Sequence, residues 1–494
     1  MSGLATATRR VLLLAIDAHR HEPETARWLH LQLRRLDEPL RVAIAGKVKA
    51  GKSTLLNALV GEQVAPTDAG ECTRVVTWYR DGATPRIVLH PRDGSPRPLP
   101  VRRHDGALTI DLGATPAEQC ERLVVDWPAQ SLRSTTLIDT PGIASTSKAV
   151  SQRTVDFLDP DSVDGRDTPT EADAVVYLMR HVHARDAAFL EAFRDRGVAR
   201  ATAVNAVAVL SRADEIGGGR VDAMFSARNI AARYRADPTV RGLCQNVVAV
   251  AGLLAQTGRT LRQAEHTALT ALARTTRDDL ETELLSVDRF LRAGRESDVT
   301  AEVRQRLLAR FGLFGIRLST SLIRQGADSP ATLAKELVDR SGLRELEQVL
   351  HTQFGERRDV LKARSALLAV DAVLRSGDGA GPRQGPLARE IDRILAGAHE
   401  FTELRLLGAL RSGTVTLPTR DADDGERLLG DAGASAAARL GLAPDASGPE
   451  LAEAAYTALE RWQRHMVNPM LGRSTTDACR AVVRSCEGIL AGLS

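Results

Sequence analysis

"VAIAGKVKAGKSTLLNALVG", residues 42–61, joins two apolar segments through a turn that carries two glycines and three lysines. The turn, GKVKAGKS, fits the spacing G-x-x-x-x-G-K-[ST], and what flanks it decides its reading. The apolar run ending at Gly46 predicts a strand, and STLLNALVG predicts a helix starting at Ser53. A strand, a glycine turn and a helix N-terminus in that order aim backbone N–H groups at one point, where phosphate oxygens bind. Gly46 and Gly51 let the backbone curl, Lys52 brings a slim ammonium to the β- and γ-phosphates, and the Ser53 hydroxyl is placed for Mg²⁺. The whole stretch Gly46, Lys47, Val48, Lys49, Ala50, Gly51, Lys52, Ser53 and Thr54 is therefore read as nucleotide-binding.

Working outward, "TTLIDTPG" (135–142) is an apolar strand that ends in a carboxylate. Asp139 lies 139 − 52 = 87 residues after Lys52, and in that order it supplies the Mg²⁺ shell, normally through water. Gly142 offers its N–H to the γ-phosphate. In "VLSRADEIG" (209–217), Asp214 accepts from both N1–H and N2–H₂ of guanine, a donor pair that adenine lacks, and Arg212 lies along the base. Ala251, at the end of "VAVAG", is the candidate for a backbone contact to the base. A metal-binding switch threonine belongs between the first two motifs. Thr67 and Thr73 compete for it, and Thr73 is favoured because it lies 73 − 52 = 21 residues after Lys52 and immediately before a predicted strand. The expected metal shell is thus Ser53, Thr73 and Asp139, and the expected ligands are GTP or GDP with Mg²⁺.

The motifs sit in a chain of 494 residues with 43% hydrophobic and 26% charged residues, a globular composition too long for one ordinary core. Its formal charge of +3 does not point to nucleic acid. The five cysteines, 72, 120, 244, 479 and 486, form no framework or metal spacing, which favours a reducing compartment. "RRVLLLAID" is interrupted by Asp17 and reads poorly as a signal peptide. No stretch approaches the roughly 18 to 20 apolar residues needed to span a bilayer, so any membrane contact is expected to be peripheral.

From 40 to about 256, "RVAIAG", "RIVLHP", "TTLIDT", "DAVVYLMR", "AVNAVAVL" and "NVVAVAG" predict strands of a mostly parallel sheet buried on both faces. Residues 4–36 and several segments after 258 have helical spacing. The expected fold class is α/β plus all-α, with domains 1–38 (a helix or helical hairpin joining a helical neck), 39–257 (an α/β nucleotide-binding domain) and 258–494 (a helical neck and trunk). In "FGLFGIRLSTSLI", Phe311, Phe314, Leu318 and Leu322 form a helical stripe, read as bundle core in preference to a membrane-inserting edge. "RSGDGAGPRQGP" (375–386) is a Gly/Pro turn without an apolar wedge.

These motifs, in this order and with long helical flanks, resemble the dynamin branch of the GTPase superfamily. The resemblance extends through "APTDAGECTRVVTWYRDG" (65–82), "SRADEIGGGRVDAM" (211–224), "ARFGLFGIRLS" (309–319), "SGLREL" (341–346) and "RRDVLKARSALLAV" (357–370), nearly the whole chain. It implies GTP hydrolysis, self-association through the GTPase domain, and cytoplasmic work at the inner face of the plasma membrane. A companion dynamin-like protein and peripheral contact with anionic lipid are its further implications. Two residues depart from the wider pattern. Ile143 stands where small GTPases orient water with glutamine, a substitution dynamin relatives share. Lys49 stands where dynamins usually have serine and guanylate-binding proteins have an arginine finger. Lys49 is either a cis-acting catalytic cation or an exposed lysine that raises the local potential, whereas Lys47 reads as a surface side chain. "SRAD" differs from the usual "[NT]KxD", which leaves an ATPase of the same build as the rival enzyme and a scarcely active nucleotide-binding scaffold as the non-enzyme alternative.

Overall fold

The computed structural model describes residues 3–66, 74–141, 171–180, 190, 205–293, 298–376, 385–417 and 421–493. Helices of at least eight residues are numbered in chain order, α4 being Ala223–Ala236.

Strand β1 (Leu40–Gly46), the strand of the glycine turn, lies between β8 (Thr135–Asp139) and β9 (Ala174–Met179) and runs parallel to both. Beyond β9 come β10 (Ala206–Ser211) and β11 (Val247–Val250), again parallel. AVVYLM, AVAVLS and VVAV are buried at every position, as strands must be when helices cover both faces of a sheet. On the other side β2 (Val76–Asp81) is antiparallel to β8, and β7 (Cys120–Trp127) is parallel to β2. Then β3 (Arg86–Pro91) and β4 (Arg97–Leu99) complete the nine-stranded order β11-β10-β9-β1-β8-β2-β7-β3-β4. Five of the eight pairings are parallel, so the mostly parallel sheet expected from sequence is present. A small ribbon, β5 (Arg102–His104) and β6 (Ala107–Thr109), stands apart.

All six strands named from sequence are strands, as is the one expected after Thr73 (β2); β4, β5 and β6 are additions, and so is β7. Its sequence CERLVVDW mixes three charges with apolar residues. Strand pairing on both sides places it inside the sheet, where Asp126 meets Arg80 across the β2–β7 ladder.

On one face of the sheet, Tyr177, Ala208 and Ala249 share a core with Leu269 of α6 (Gln263–Arg274), Phe311 and Phe314 of α7 (Ala301–Arg324) and Leu337 of α8 (Pro330–Arg340). The stripe Phe311, Phe314, Leu318 and Leu322 is 1–7% exposed, and is core. On the other face, Ile44, Leu55 of α3 (Lys52–Val60) and Val209 pack with Leu343 and Leu346 of α9 (Leu343–Leu350) and with Leu361. Residues on both sides of position 258 share these cores.

The N-terminal helices α1 (Gly3–Ala18) and α2 (Pro23–Arg35) meet the C-terminal half of the chain. Val11, Leu12 and Leu29 are buried against Leu367 of α10 (Arg358–Ser376) and Ile391 of α11 (Pro386–Gly397). The Lys362 ammonium donates to the carbonyls of Leu36 and Glu38, tying the end of α2 to α10. Arg35 reaches the sheet through Asp173, at 3.1 Å, and that carboxylate also accepts the Arg41 N–H at 3.0 Å. A separate core around Trp462 joins α12 (His399–Arg411), α13 (Gly448–Met466) and α14 (Arg473–Leu493). The Gly/Pro turn at 377–384 lies outside the described residues. Among the described residues, no helix is long and apolar enough to cross a membrane.

Candidate nucleotide-binding site

The glycine turn takes its shape from the backbone angles its residues allow. Gly46 has φ +149°, and a Cβ there would stand 2.6 Å from the Leu178 carbonyl oxygen of neighbouring β9. Only glycine fits, because β1 and β9 are hydrogen-bonded partners at that register. Gly51 has φ +94° and opens α3 from the left-handed region. Lys49 also has a left-handed φ, +61°, in an exposed position, a conformation that costs a non-glycine residue roughly 1–2 kcal/mol. The Lys52 ammonium arches back to the carbonyls of Gly46 (3.2 Å) and Lys47 (3.3 Å). Burial pulls its pKa below the ordinary lysine value, and the charge of Asp139 opposes that pull.

The register of the sheet brings the second motif to the first. Ile44 of β1 is level with Asp139 of β8, so the carboxylate stands beside the N-terminus of α3. Ser53 Oγ donates to Asp139 Oδ2 at 2.8 Å. The other oxygen, Oδ1, is buried with no hydrogen-bond partner, an expensive state for a carboxylate. Burial raises the Asp139 pKa, and Lys52 and the Ser53 hydroxyl partly offset the rise. One orphaned carboxylate oxygen and one hydroxyl are hard oxygen donors of the sort that hold Mg²⁺ through one or two protein groups, its other ligands being water and phosphate. The described residues contain no group of three or more His, Cys, Asp or Glu that would cage a metal without substrate. The donor set therefore fits Mg²⁺ bound together with a nucleotide.

Beside the turn, a cleft is lined by Gly51, Thr54 and Leu55, by Arg212 and Asp214, and by Leu253. Ala50 also lines it. Burial raises the Asp214 pKa, and neighbouring Glu215 adds to the rise. Arg212 has φ +53° and donates to Glu215 at 2.6 Å, so its guanidinium is held by its own loop. Val48 is exposed, and Lys47 contributes its carbonyl, which accepts from Ala50 N–H at 3.1 Å. Ala251 differs from its expected role. Its N–H donates to the Ser341 carbonyl at 2.9 Å, and its neighbours Val250, Gly252 and Leu253 line the cleft instead. Thr67, Thr73, Gly142 and Ile143 lie outside the described residues.

Two contributors carried weak signals or none in the sequence. Asn57, buried on α3 one turn after Ser53, accepts from Val64 N–H (2.9 Å) and Ala65 N–H (2.7 Å) and donates to the Ala65 carbonyl (2.9 Å). A lone amide on the apolar face of LLNAL was the available hint. Ser341 is distant in sequence, and although it opens the string SGLREL, nothing local ties it to Ala251.

Residues 42–184, which carry the turn, Asp139 and the strand beside them, match the family model described as the dynamin family. Over 461 residues, 93% of this chain and 92% of the relative, the chain is 44% identical to the isoniazid-induced protein IniC of Mycobacterium tuberculosis. The chain belongs to the dynamin family. Other dynamin relatives match shorter parts. The bacterial dynamin-like protein of Nostoc punctiforme is 33% identical over 117 residues, covering 22% of this chain and 17% of its own length. Dynamin-like protein A of Bacillus subtilis is 29% identical over 168 residues, covering 33% and 13%. Among solved structures, two chains from an oligomerised bacterial dynamin pair, described as sensing and tethering membranes at long range, align with TM-scores of 0.30 and 0.35. They are 15% and 11% identical and cover 83% and 98% of this chain, and 79% and 90% of their own lengths. Dynamin-family proteins are GTPases, and the matched residues include the glycine turn.

Proposed function

We propose that this chain binds GTP and hydrolyses it to GDP and phosphate with Mg²⁺, using the glycine turn for the phosphates and the Asp214 cleft for the base. The observation that carries the reading is the Ser53–Asp139 pair beside Lys52, with one Asp139 oxygen left unsatisfied. Mg²⁺, when bound, neutralises charge on the phosphate oxygens. Lys52, already bent over the turn, supplies a fixed cation at the phosphates. The Asp214 carboxylate selects a base bearing two adjacent donors. In hydrolysis, water bonds to the γ-phosphorus as the bond to the β–γ bridging oxygen breaks, and that oxygen leaves with GDP. Lys49 is assigned to the charge that develops there, Gly142 to the γ-phosphate and Thr73 to the metal shell.

Family membership extends the proposal to association of GTPase domains between copies and to peripheral work at the inner face of the plasma membrane, with a companion dynamin-like protein as a second partner. The exposure of Lys49 favours a site completed on association. GTP hydrolysis measured against protein concentration, with and without anionic liposomes and with Lys52→Ala as control, tests the whole. Specific turnover is expected to rise with concentration. Turnover that stays flat and near the control level supports the scaffold alternative, and tighter binding of ATP than GTP in calorimetry supports the ATPase.

A further inference from the structure

The segment Val250–Leu253 forms one wall of the base cleft and leads into α5 (Gly252–Arg259). Its outer side rests on a turn about ninety residues later, between α8 and α9. Ser341 is fully buried there, and its carbonyl accepts the Ala251 N–H at 2.9 Å. The Ser341 hydroxyl closes the turn on itself, donating to the Val338 carbonyl at 2.7 Å and accepting the Leu343 N–H at 3.1 Å. The next residue, Gly342, has φ +82°, and a Cβ on it would stand 2.1 Å from the Ala249 carbonyl oxygen and 3.5 Å from Val250 Cα. Backbone therefore packs on backbone, an approach that only glycine permits.

A second contact of the same kind lies at the other end of α5. A Cβ on Gly258 would meet Val338 Cγ2 at 2.8 Å and the Ala334 carbonyl at 3.1 Å, so α5 and α8 also touch backbone to side chain and backbone. Across the helix, Gly252 lies against Thr54 and Leu55 of α3. The base segment is thus held between the phosphate-binding helix and the Ser341–Gly342 turn, and two of its three supports, at Gly342 and Gly258, leave no room for a Cβ. Binding sites need their groups held to within about half an ångström, which falls to residues that never touch the ligand.

Resting on the assignment of this cleft to the guanine base, we propose that the Ser341–Gly342 turn is a positioning element for nucleotide recognition: it sets the height of Val250–Leu253 against α3 and so governs affinity for the nucleoside portion of GTP and GDP, leaving the phosphate subsite alone. Ser341 and Gly342 touch no nucleotide in this scheme. They act through Ala249 and Ala251.

The test compares GDP with inorganic tripolyphosphate, which occupies the phosphate subsite only, by calorimetry on the full-length chain. Gly342→Ala forces the turn off β11. It is expected to weaken GDP binding by about tenfold or more, roughly the effect of one lost interaction of 1.4 kcal/mol, while tripolyphosphate stays within about twofold. Ser341→Ala, which keeps the carbonyl but frees the turn from α8, should shift GDP in the same direction by less. Unchanged GDP affinity in Gly342→Ala overturns the proposal, and so does an equal loss for both ligands, which would mean general damage. If Gly342→Ala does not fold, hydrogen exchange of the native protein decides. GDP should slow the Ala251 and Leu343 amides by about tenfold more than tripolyphosphate does, and equal protection by both overturns the proposal. A native chain that binds tripolyphosphate but no guanine nucleotide overturns the guanine assignment and this inference with it. Native GDP binding with an indifferent Gly342→Ala overturns this inference alone.

Discussion

Ser53 and Asp139, 86 residues apart in sequence, meet at 2.8 Å, and the second Asp139 oxygen is buried without a partner. A carboxylate in that state is set for a cation. Asp139→Asn is expected to raise the Mg²⁺ concentration needed for half-maximal GTP turnover by about 10- to 100-fold, the usual cost of losing an outer-shell partner. Turnover titrated with Mg²⁺ at saturating GTP measures it, and an unshifted midpoint removes Asp139 from the metal site.

Lys49 combines charge with backbone strain, and the two can be separated. Lys49→Gly relieves the positive φ and is expected to stabilise the apo protein by about 1 kcal/mol, while Lys49→Ala keeps the strain. Both should bind GTP within about twofold of the native chain and turn it over about 10²- to 10³-fold more slowly, the loss typical of one group aimed at developing charge. Equal turnover in all three proteins leaves Lys49 as a bystander.

The Asp214 cleft should be sensitive to pH. Guanine recognition needs the ionised carboxylate, and burial, with Glu215, holds the free-state pKa above its ordinary 3.8. Protonation therefore competes with GDP at higher pH than for an exposed aspartate. As pH falls through the raised pKa, GDP affinity should drop by about tenfold per unit. Titrations at a series of pH values below 8 check this, with Asp214→Ala expected to be weak and nearly flat over the same range.

Glu403 tests the helical part of the chain without touching the site. Burial alone would raise its pKa, but hydrogen bonds from His399, Arg439 and Ser485 override burial and hold it at about 2, below the ordinary 4.5. A depressed carboxylate pKa contributes stability above 4.5, and that stability is lost as pH falls from 4.5 toward 2. Glu403→Gln should cost about 3 kcal/mol at pH 7, seen as a lower urea midpoint. The two proteins should converge as pH approaches 2. A gap that persists at low pH would assign the loss to packing.

Where one chemistry had to recur in a fixed local order, the sequence alone was enough. GKVKAGKS has one reading once an apolar strand precedes it and a helix follows, because glycine angles and a helix N-terminus are local properties. β9, β10 and β11 were legible for a related reason. A strand covered on both faces must be apolar throughout, and AVVYLM, AVAVLS and VVAV are. β7 was not legible, since its Asp126 charge is matched by Arg80 across the ladder, a pairing that its own sequence does not show.

Local sequence determined the phosphate turn, the two acidic motifs and the succession of strands, since each depends on residues a few positions apart. Tertiary structure alone decided that Ile44 lies level with Asp139, that the Phe311 stripe packs on the sheet, and that the Ala251 N–H turns to Ser341. Those contacts join segments separated by tens of residues. A hydrogen bond or a glycine contact between such segments exists only after the sheet register and helix packing have brought the two backbones together. The base cleft shows the division most sharply. Asp214 announces itself in SRAD, but the Val250–Leu253 wall of the same cleft is held by a serine carbonyl and a bare Cα, a contact that no local pattern shows.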